Sequence, residues 1–293
     1  MQFDNGWQAL CRPGLATEFF DLADPPPLDA EAQQYSDVNA WWLAELSRVI
    51  YRHDQQAAGS DSNAPTRSDI LDTAGLDQLQ SFSKGGITCA LVRPRPALAA
   101  AVTVLVFRGT QGVQNWLLDL NAKMIAAAQA GRVHCGFQRA LDEVWPDVDR
   151  ALSSVTTPTF YTGHSLGGAL ATLAASRRAP AVVYTFGSPR VGDAKFVDRL
   201  AGQQIYRVVN RDDRVTTVPP SIGPWPFRHV GQRHDLVPSA DGQARGDQTS
   251  DPGGDDLWDR RRWSDPPQCL ADHAPVNYVA RIERGMRGEE RGG

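Results

Sequence analysis

A short segment of the sequence, Gly163-His164-Ser165-Leu166-Gly167-Gly168, has the residue types of a nucleophilic serine. It fits the pattern G-x-S-x-G, in which a sharp turn between a strand and a helix lifts the serine hydroxyl above a sheet. Glycines two positions before and after the serine let the strand and the helix approach each other. Phe160 to Thr162 favours a strand before the turn, and Ala169 to Ala175 favours a closely packed helix after it. We therefore predict that Ser165 is a nucleophile.

A serine hydroxyl is a weak nucleophile, so it needs a general base and an acid that orients the base. With this motif the partners follow the serine in the order acid, then histidine. The histidines after Ser165 are His229, His234 and His273. The acid should follow a strand, and Ile205 to Asn210 is such a strand, followed closely by Asp212 and Asp213. On this ground alone either aspartate fits, and the choice of histidine stays open.

The elements around these residues alternate between strand and helix patterns. Strands are predicted at Thr159 to Thr162, Val182 to Phe186 and Ile205 to Asn210, with helices between them. Such alternation predicts an α/β fold with a mostly parallel central sheet and helices on both faces. Upstream we predict a helix from about Val38 to Arg52 and a hairpin whose strands are Phe82 to Arg93 and Val102 to Phe107.

We expect one domain over residues 1–293, because no linker separates two cores. Residues 1–37 are predicted to form a surface arm, residues 238–267 a long loop, and residues 285–293 a frayed tail. The acidic stretch from Asp251 to Asp259 lacks the spacing of a calcium loop, and no CxxC pair suggests zinc or redox chemistry. We therefore expect neither a metal ion nor a cofactor.

The composition excludes several classes of protein. With 30 Lys and Arg against 34 Asp and Glu, the net charge is −4, which argues against a nucleic-acid-binding surface. The longest apolar run, Ala97 to Phe107, is too short for a transmembrane helix. The first residues have neither the basic start nor the apolar core of a secretory signal. The sequence thus predicts a cytoplasmic protein, with signal-independent secretion or a trimmed N-terminus as the alternatives.

Five segments, in their order, resemble the class 3, fungal-type lipase family of α/β hydrolases. They are Phe107-Arg108-Gly109-Thr110, Asn115-Trp116-Leu117, Gly163 to Gly168, Thr185 to Gly192, and Val209 to Val215 leading to Pro219-Pro220. The resemblance implies the α/β-hydrolase fold. It also implies that Asp213, six residues before Pro219, is the acid, and that His273, which opens the last helix ahead of Tyr278, is the base. His234 remains a competitor, because the stretch between it and His273 is unusually long.

The tetrahedral oxyanion of acyl transfer needs preorganised N–H donors. One donor follows the nucleophile, which predicts the N–H group of Leu166. The resemblance places the second donor at Thr110, where a predicted strand ends.

An apolar stripe follows Thr110 in the sequence. Val113, Trp116, Leu117 and Leu120 fall at helical spacing in a predicted helix from about Val113 to Ala128. Such a helix could pack permanently on the core. The resemblance favours a lid that covers the pocket in water and meets lipid when open.

We expect a carboxylic ester hydrolase, most closely a triacylglycerol or acylglycerol lipase that works through an acyl-enzyme. Phospholipase A1, a feruloyl-type esterase and a short-chain soluble esterase are the enzymatic alternatives. A catalytically silent lipid-binding module is a remote alternative, since it should lack a member of the triad. The expected partners are an ester or lipid substrate and, transiently, a lipid interface.

Overall fold

The computed structural model describes residues 1–54, 64–96, 98, 101–110, 123–222, 225–237 and 264–288. Within these ranges the sheet strands are β1 (Leu76–Lys84), β2 (Ile87–Pro94), β3 (Thr103–Phe107), β6 (Thr159–His164), β7 (Val182–Phe186), β8 (Ile205–Val209) and β11 (Gln232–Asp235). They form one sheet in the order β1-β2-β3-β6-β7-β8-β11. From β3 to β11 neighbouring strands are parallel, whereas β1, β2 and β3 pair antiparallel.

The described part of the chain also contains two short strand pairs, eight α-helices and the 3₁₀ helices Pro13–Leu15 and Arg214–Thr217. The pairs are β4 (Met124–Ala126) with β5 (Arg132–His134), and β9 (Ser221–Ile222) with β10 (Trp225–Pro226). The helices are α1 (Trp7–Cys11), α2 (Asp37–Val49), α3 (Arg67–Thr73), α4 (Cys135–Leu152), α5 (Leu166–Arg177), α6 (Ala194–Leu200), α7 (Gln268–Ala271) and α8 (Pro275–Met286).

The sheet has a hydrophobic core on each face, and strand alternation sorts side chains between them. In β3, Val104 and Val106 join the cluster built with α2 and α8. Leu105 and Phe107 join the cluster built with α4 and α5 on the opposite face. All five residues of β3 are buried, because the strand is covered on both faces. Its sequence is therefore a nearly continuous apolar run and does not alternate with polar residues. The predicted mostly parallel sheet with helices on both faces is confirmed.

Several predicted elements need correction. The predicted strand from Phe82 to Arg93 is a hairpin, because Gly85 and Gly86 have φ angles of 57° and 79° and turn the chain. The end of the predicted helix from Val113 to Ala128 is wrong, since Met124–Ala126 pairs with Arg132–His134 as a strand.

The predicted surface arm of residues 1–37 is packed against the body of the protein. Leu10 and Leu28 are buried, and the indole nitrogen of Trp42 donates to the carbonyl of Pro26 over 2.8 Å. The start of the predicted frayed tail, by contrast, is helical as far as Met286. Most of the predicted loop of residues 238–267 lies outside the described residues. The assignment of residues 1–293 to one domain stays a prediction.

Candidate active site

Ser165 lies on a strained turn between β6 and α5. Its φ and ψ angles are 57° and −127°, a backbone conformation that non-glycine residues rarely adopt. A methyl group added at Gly163 would overlap the backbone of Gly167, and one added at Gly167 would overlap the carbonyl of Phe107. Both glycines are therefore required by the close approach of β3, β6 and α5. The sequence pattern around Ser165 is thus explained by the packing of the backbone.

Asp213 and His273 form a buried pair close to this turn. His273 Nδ1 lies 2.8 Å from Asp213 Oδ2, and both side chains are 0% exposed. The other carboxylate oxygen, Oδ1, accepts the backbone N–H of Val215 over 2.9 Å. The hydroxyl of Tyr278 donates to Oδ2 over 2.6 Å. Because the carboxylate only accepts, Nδ1 of His273 carries its proton and Nε2 is left as the base.

Gly187 directly follows β7 and leaves room for this pair. Its φ angle is 57°, and a Cβ atom there would come within 2.7 Å of Asp213 Oδ2 and 2.9 Å of His273 Nδ1. Any side chain would therefore displace the carboxylate and the imidazole from each other. Sequence reasoning did not identify this role for Gly187. Its position directly after the buried strand β7 was the available signal.

Two side-chain atoms at the site are left without a partner. Ser165 Oγ and His273 Nε2 are buried and make no hydrogen bond within the described part of the chain. An unpaired buried polar group destabilises a protein, so such groups are rare and call for an explanation. These two atoms are the hydroxyl and the base that acyl transfer would join. Catalytic hydrogen bonds are often long before substrate binds.

The other candidates for the acid and the base, Asp212, His229 and His234, lie outside this pair. Asp212 is exposed, whereas Asp213 is buried. His234 lies on β11 at the edge of the sheet, where its ring stacks on Tyr35 with 3.3 Å between centroids. His229 is buried with Nε2 2.8 Å from the carbonyl of Thr216, and burial together with nearby arginines lowers its pKa well below the ordinary value. The structure thus brings Asp213 together with His273.

The two predicted oxyanion donors lie at neighbouring strand ends. Phe107 in β3 pairs with Gly163 in β6, so both chains leave the sheet side by side. Leu166 is the first residue of α5, where N–H groups lack intrahelical partners. Thr110 is half-buried in the loop after β3. The predicted lid residues Val113, Trp116, Leu117 and Leu120 lie outside the described residues.

Two further observations concern the described ranges only. They contain no group of three His, Cys, Asp or Glu side chains arranged to hold a metal ion. None of the helices within them is long and apolar enough to cross a membrane.

Comparisons with known proteins place the chain among lipases. A family model described as "Lipase (class 3)" matches residues 104–222. Over 145 residues the chain is 39% identical to "Secreted mono- and diacylglycerol lipase 1" of Fusarium solani, covering 45% of this chain and 43% of that protein. It is 34% identical over 148 residues to "Phospholipase A(1) DAD1, chloroplastic" of Arabidopsis thaliana, covering 40% and 33%. The chain thus matches less than half the length of these relatives.

Solved structures support the fold. A crystal structure of a mutant of MDLA from Penicillium cyclopium aligns with a TM-score of 0.58 and 21% identity, covering 84% of this chain and 96% of that one. At this identity the likeness concerns the fold alone.

The prediction of a cytoplasmic location is wrong. The Fusarium solani relative is a secreted lipase, and this finding points away from the cytoplasm. Together with the matched family model and the fold, these relatives confirm the resemblance. Over residues 104–222 the chain matches the class 3 lipase family, and it has the α/β-hydrolase fold.

Proposed function

We propose that this protein is a serine hydrolase that cleaves the carboxylic ester bonds of acylglycerols. The observation that carries the proposal is the buried Asp213–His273 pair beside the strained turn of Ser165. Two buried atoms there, Ser165 Oγ and His273 Nε2, have no partner within the described residues. This is the set of groups that acyl transfer to a serine requires.

In the first half of the reaction, Ser165 Oγ bonds to the ester carbonyl carbon while His273 Nε2 takes the hydroxyl proton. The carbonyl oxygen becomes an oxyanion, which the N–H groups of Leu166 and Thr110 stabilise. Each such donor contributes roughly 100- to 1000-fold in rate. The bond to the alcohol then breaks, and His273 returns its proton to the alcohol as it leaves. Asp213 stabilises the imidazolium between these two steps.

In the second half, water attacks the acyl-enzyme carbonyl and His273 removes its proton. The new tetrahedral intermediate releases the fatty acid, and the proton returns to Ser165 Oγ. No oxidant, metal ion or cofactor takes part in either half. Tyr278 and the N–H of Val215 hold the Asp213 carboxylate throughout, since both donate to it.

The relatives support acylglycerols as the substrate class. The Fusarium solani relative is a mono- and diacylglycerol lipase and is secreted, which favours extracellular action on lipids. Transient contact with a lipid interface, through the predicted lid, belongs to the same proposal. Phospholipase A1 activity is the second candidate, because the Arabidopsis thaliana relative carries that activity in its name.

A substrate panel tests the proposal. Release of fatty acid would be measured from emulsified dioleoylglycerol, trioleoylglycerol and dioleoyl-phosphatidylcholine, with Ser165→Ala as the inactive control. Acylglycerol lipase activity predicts faster hydrolysis of a neutral glyceride than of the phospholipid. The opposite order would support phospholipase A1. Hydrolysis of dissolved p-nitrophenyl acetate alone would indicate a short-chain esterase, and ethyl ferulate alone a feruloyl-type esterase.

A further inference from the structure

A tyrosine and a histidine outside the triad connect the three segments that carry the proposed catalytic groups. Tyr51 follows α2, more than a hundred residues before the nucleophile, and His164 directly precedes Ser165. Both side chains are buried. The Tyr51 hydroxyl lies 3.0 Å from His164 Nδ1, and His164 Nε2 lies 2.7 Å from the backbone carbonyl of His273.

The third segment is the oxyanion loop, which we define as residues 108–110 after β3. Gly109 lies directly against the hydroxyl oxygen of Tyr51. A Cβ atom at Gly109 would overlap that oxygen and would lie 2.6 Å from the carbonyl of His164. The loop that carries Thr110 therefore rests directly on Tyr51 and on the strand that carries the nucleophile.

The directions of the two hydrogen bonds made by the His164 ring follow from which partner atoms can only accept. A carbonyl only accepts, so His164 Nε2 carries a proton and donates to His273. Nδ1 is then bare and accepts the Tyr51 O–H. The order is Tyr51 O–H to His164, and His164 N–H to the carbonyl of His273.

His164 must also stay uncharged for this arrangement to hold. Its ring centroid lies 4.4 Å from that of His273, where the imidazolium forms during acyl transfer. Burial first, and the nearby His273 second, lower the pKa of His164 well below its ordinary value. A neutral His164 neither repels the imidazolium nor loses the acceptor that Tyr51 needs.

We propose that Tyr51 and His164 are positioning residues that hold the oxyanion loop and the backbone of His273 in register with Ser165. This inference rests on the proposed function, since it assigns the pair to the same site. Preorganised donors act mainly on the transition state, so a displaced oxyanion loop lowers kcat more than it raises KM. A tyrosine that only fills the core would affect stability and leave kcat unchanged.

The test uses Tyr51→Phe, which removes the hydroxyl and keeps the ring. With a dissolved p-nitrophenyl ester we expect kcat to fall about 10- to 100-fold, less than the loss of a whole oxyanion donor. KM should stay within about twofold, because ground-state binding is not touched. The affinity for an alkyl boronic acid, which forms a tetrahedral adduct on the serine, should fall by the same factor as kcat. Tyr184→Phe is the matched control, because its buried hydroxyl accepts the backbone N–H of Ser36 away from the site.

Two substitutions of His164 separate its hydrogen bond with Tyr51 from its hydrogen bond with the carbonyl of His273. His164→Asn keeps an acceptor near the position of Nδ1, and His164→Gln keeps a donor near the position of Nε2. If Tyr51 acts through His164, Tyr51→Phe should lower kcat little further in the His164→Gln background, where the hydrogen bond between the two residues is already lost. In the His164→Asn background, Tyr51→Phe should lower kcat by the same factor as in the wild-type protein. Such non-additivity is the signature of residues that act together.

The outcomes are distinct. A wild-type kcat and boronate affinity in Tyr51→Phe, or a loss equal to that in Tyr184→Phe, would overturn the positioning role while leaving the proposed function intact. Full additivity with both His164 variants would overturn the connection through His164. A wild-type protein that hydrolyses no ester would overturn the proposed function and this inference with it. Thermal unfolding of every variant identifies any that fails to fold, and the remaining variants then decide.

Discussion

Two buried polar clusters differ in how their groups are paired. The charge cluster, Glu45, Arg48 and Glu283, lies between α2 and α8. Arg48 Nε donates to Glu45 over 3.0 Å, the second Glu45 oxygen accepts the N–H of Phe20, and Trp41 Nε1 donates to Glu283 over 3.0 Å. The second oxygen of Glu283 pairs with the amino group of Met1.

The candidate active site is arranged differently. Asp213 is fully paired like Glu45, but Ser165 Oγ and His273 Nε2 have no partner among the described residues. Ser165 also has a strained backbone. The charge cluster thus has the pairing that stabilises a fold, whereas the active site retains two atoms that have no partner within the described residues, which costs stability. We infer that function, not folding, explains those atoms, and the following changes test that contrast.

The largest effect is expected from Ser165→Ala. Loss of a triad member costs about a million-fold in turnover. Because the change also removes an unpaired buried hydroxyl, the free energy of unfolding should stay the same or rise slightly. Ester hydrolysis and thermal melting, measured on the same preparation, check both parts. Even a tenth of wild-type turnover on a short ester would exclude Ser165 as the nucleophile.

The acid and the base come next. Asp213→Asn should lower kcat about ten-thousand-fold, because the amide favours the wrong tautomer of the imidazole, and His273→Ala should lower it at least as much. Asp212→Asn and His234→Ala are the matched controls, since Asp212 is exposed and His234 lies at the sheet edge. The reverse pattern, with an inactive His234→Ala and an active His273→Ala, would refute the assignment of the base.

The charge cluster should respond in the opposite way. Glu45→Ala leaves Arg48 buried without its carboxylate, and breaking a buried ion pair costs about 3–5 kcal/mol in the free energy of unfolding. The activity per folded molecule should not change, because no triad residue contacts Glu45 in the described structure. Urea unfolding and active-site titration measure the two quantities separately. A large loss of kcat without a loss of stability would remove the contrast between the clusters.

The smallest effect concerns access to the unpaired atoms. Ser165 is 0% exposed, and the predicted lid would have to open before substrate reaches it. Trp116 belongs to the predicted lid, and exposure of a large apolar side chain costs roughly 1.5–3 kcal/mol that a lipid surface would return. Trp116→Ser should therefore weaken hydrolysis of emulsified triglyceride by more than hydrolysis of a dissolved ester. Equal losses on both substrates would indicate a fixed helix.

The sequence predicted the central part of the fold well, because its signals there are local. Short β-branched and aromatic runs such as Val182 to Phe186 favour strands of a covered sheet, and the glycines around Ser165 indicate a tight backbone crossing. The Asp213–His273 contact followed from the family resemblance, and their catalytic roles stay predictions. Spacing alone left both Asp212 and Asp213 open, and the resemblance favoured Asp213, which the structure buries while Asp212 is exposed.

Other features depend on contacts distant in the sequence. The apolar stripe after Thr110 favoured a helix as far as Ala128, but the pairing of Met124 with His134 makes a strand there. No local pattern connects Tyr51 with His164, which is 113 positions away. The steric role of Gly187 is visible only once Asp213 and His273 are placed beside it. In each case the structure depends on contacts between residues distant in the sequence, and local sequence patterns do not predict such contacts.

The central claim, that the Asp213–His273 pair activates Ser165, is tested most directly by covalent labelling. A fluorophosphonate reacts only with an activated serine, and peptide mapping by mass spectrometry locates the adduct. We expect a single adduct on Ser165 in the wild-type protein and much slower labelling in Asp213→Asn, with normal labelling in Asp212→Asn. An unlabelled wild-type protein, or an adduct on another serine, would contradict the account and favour a silent lipid-binding protein or a different site.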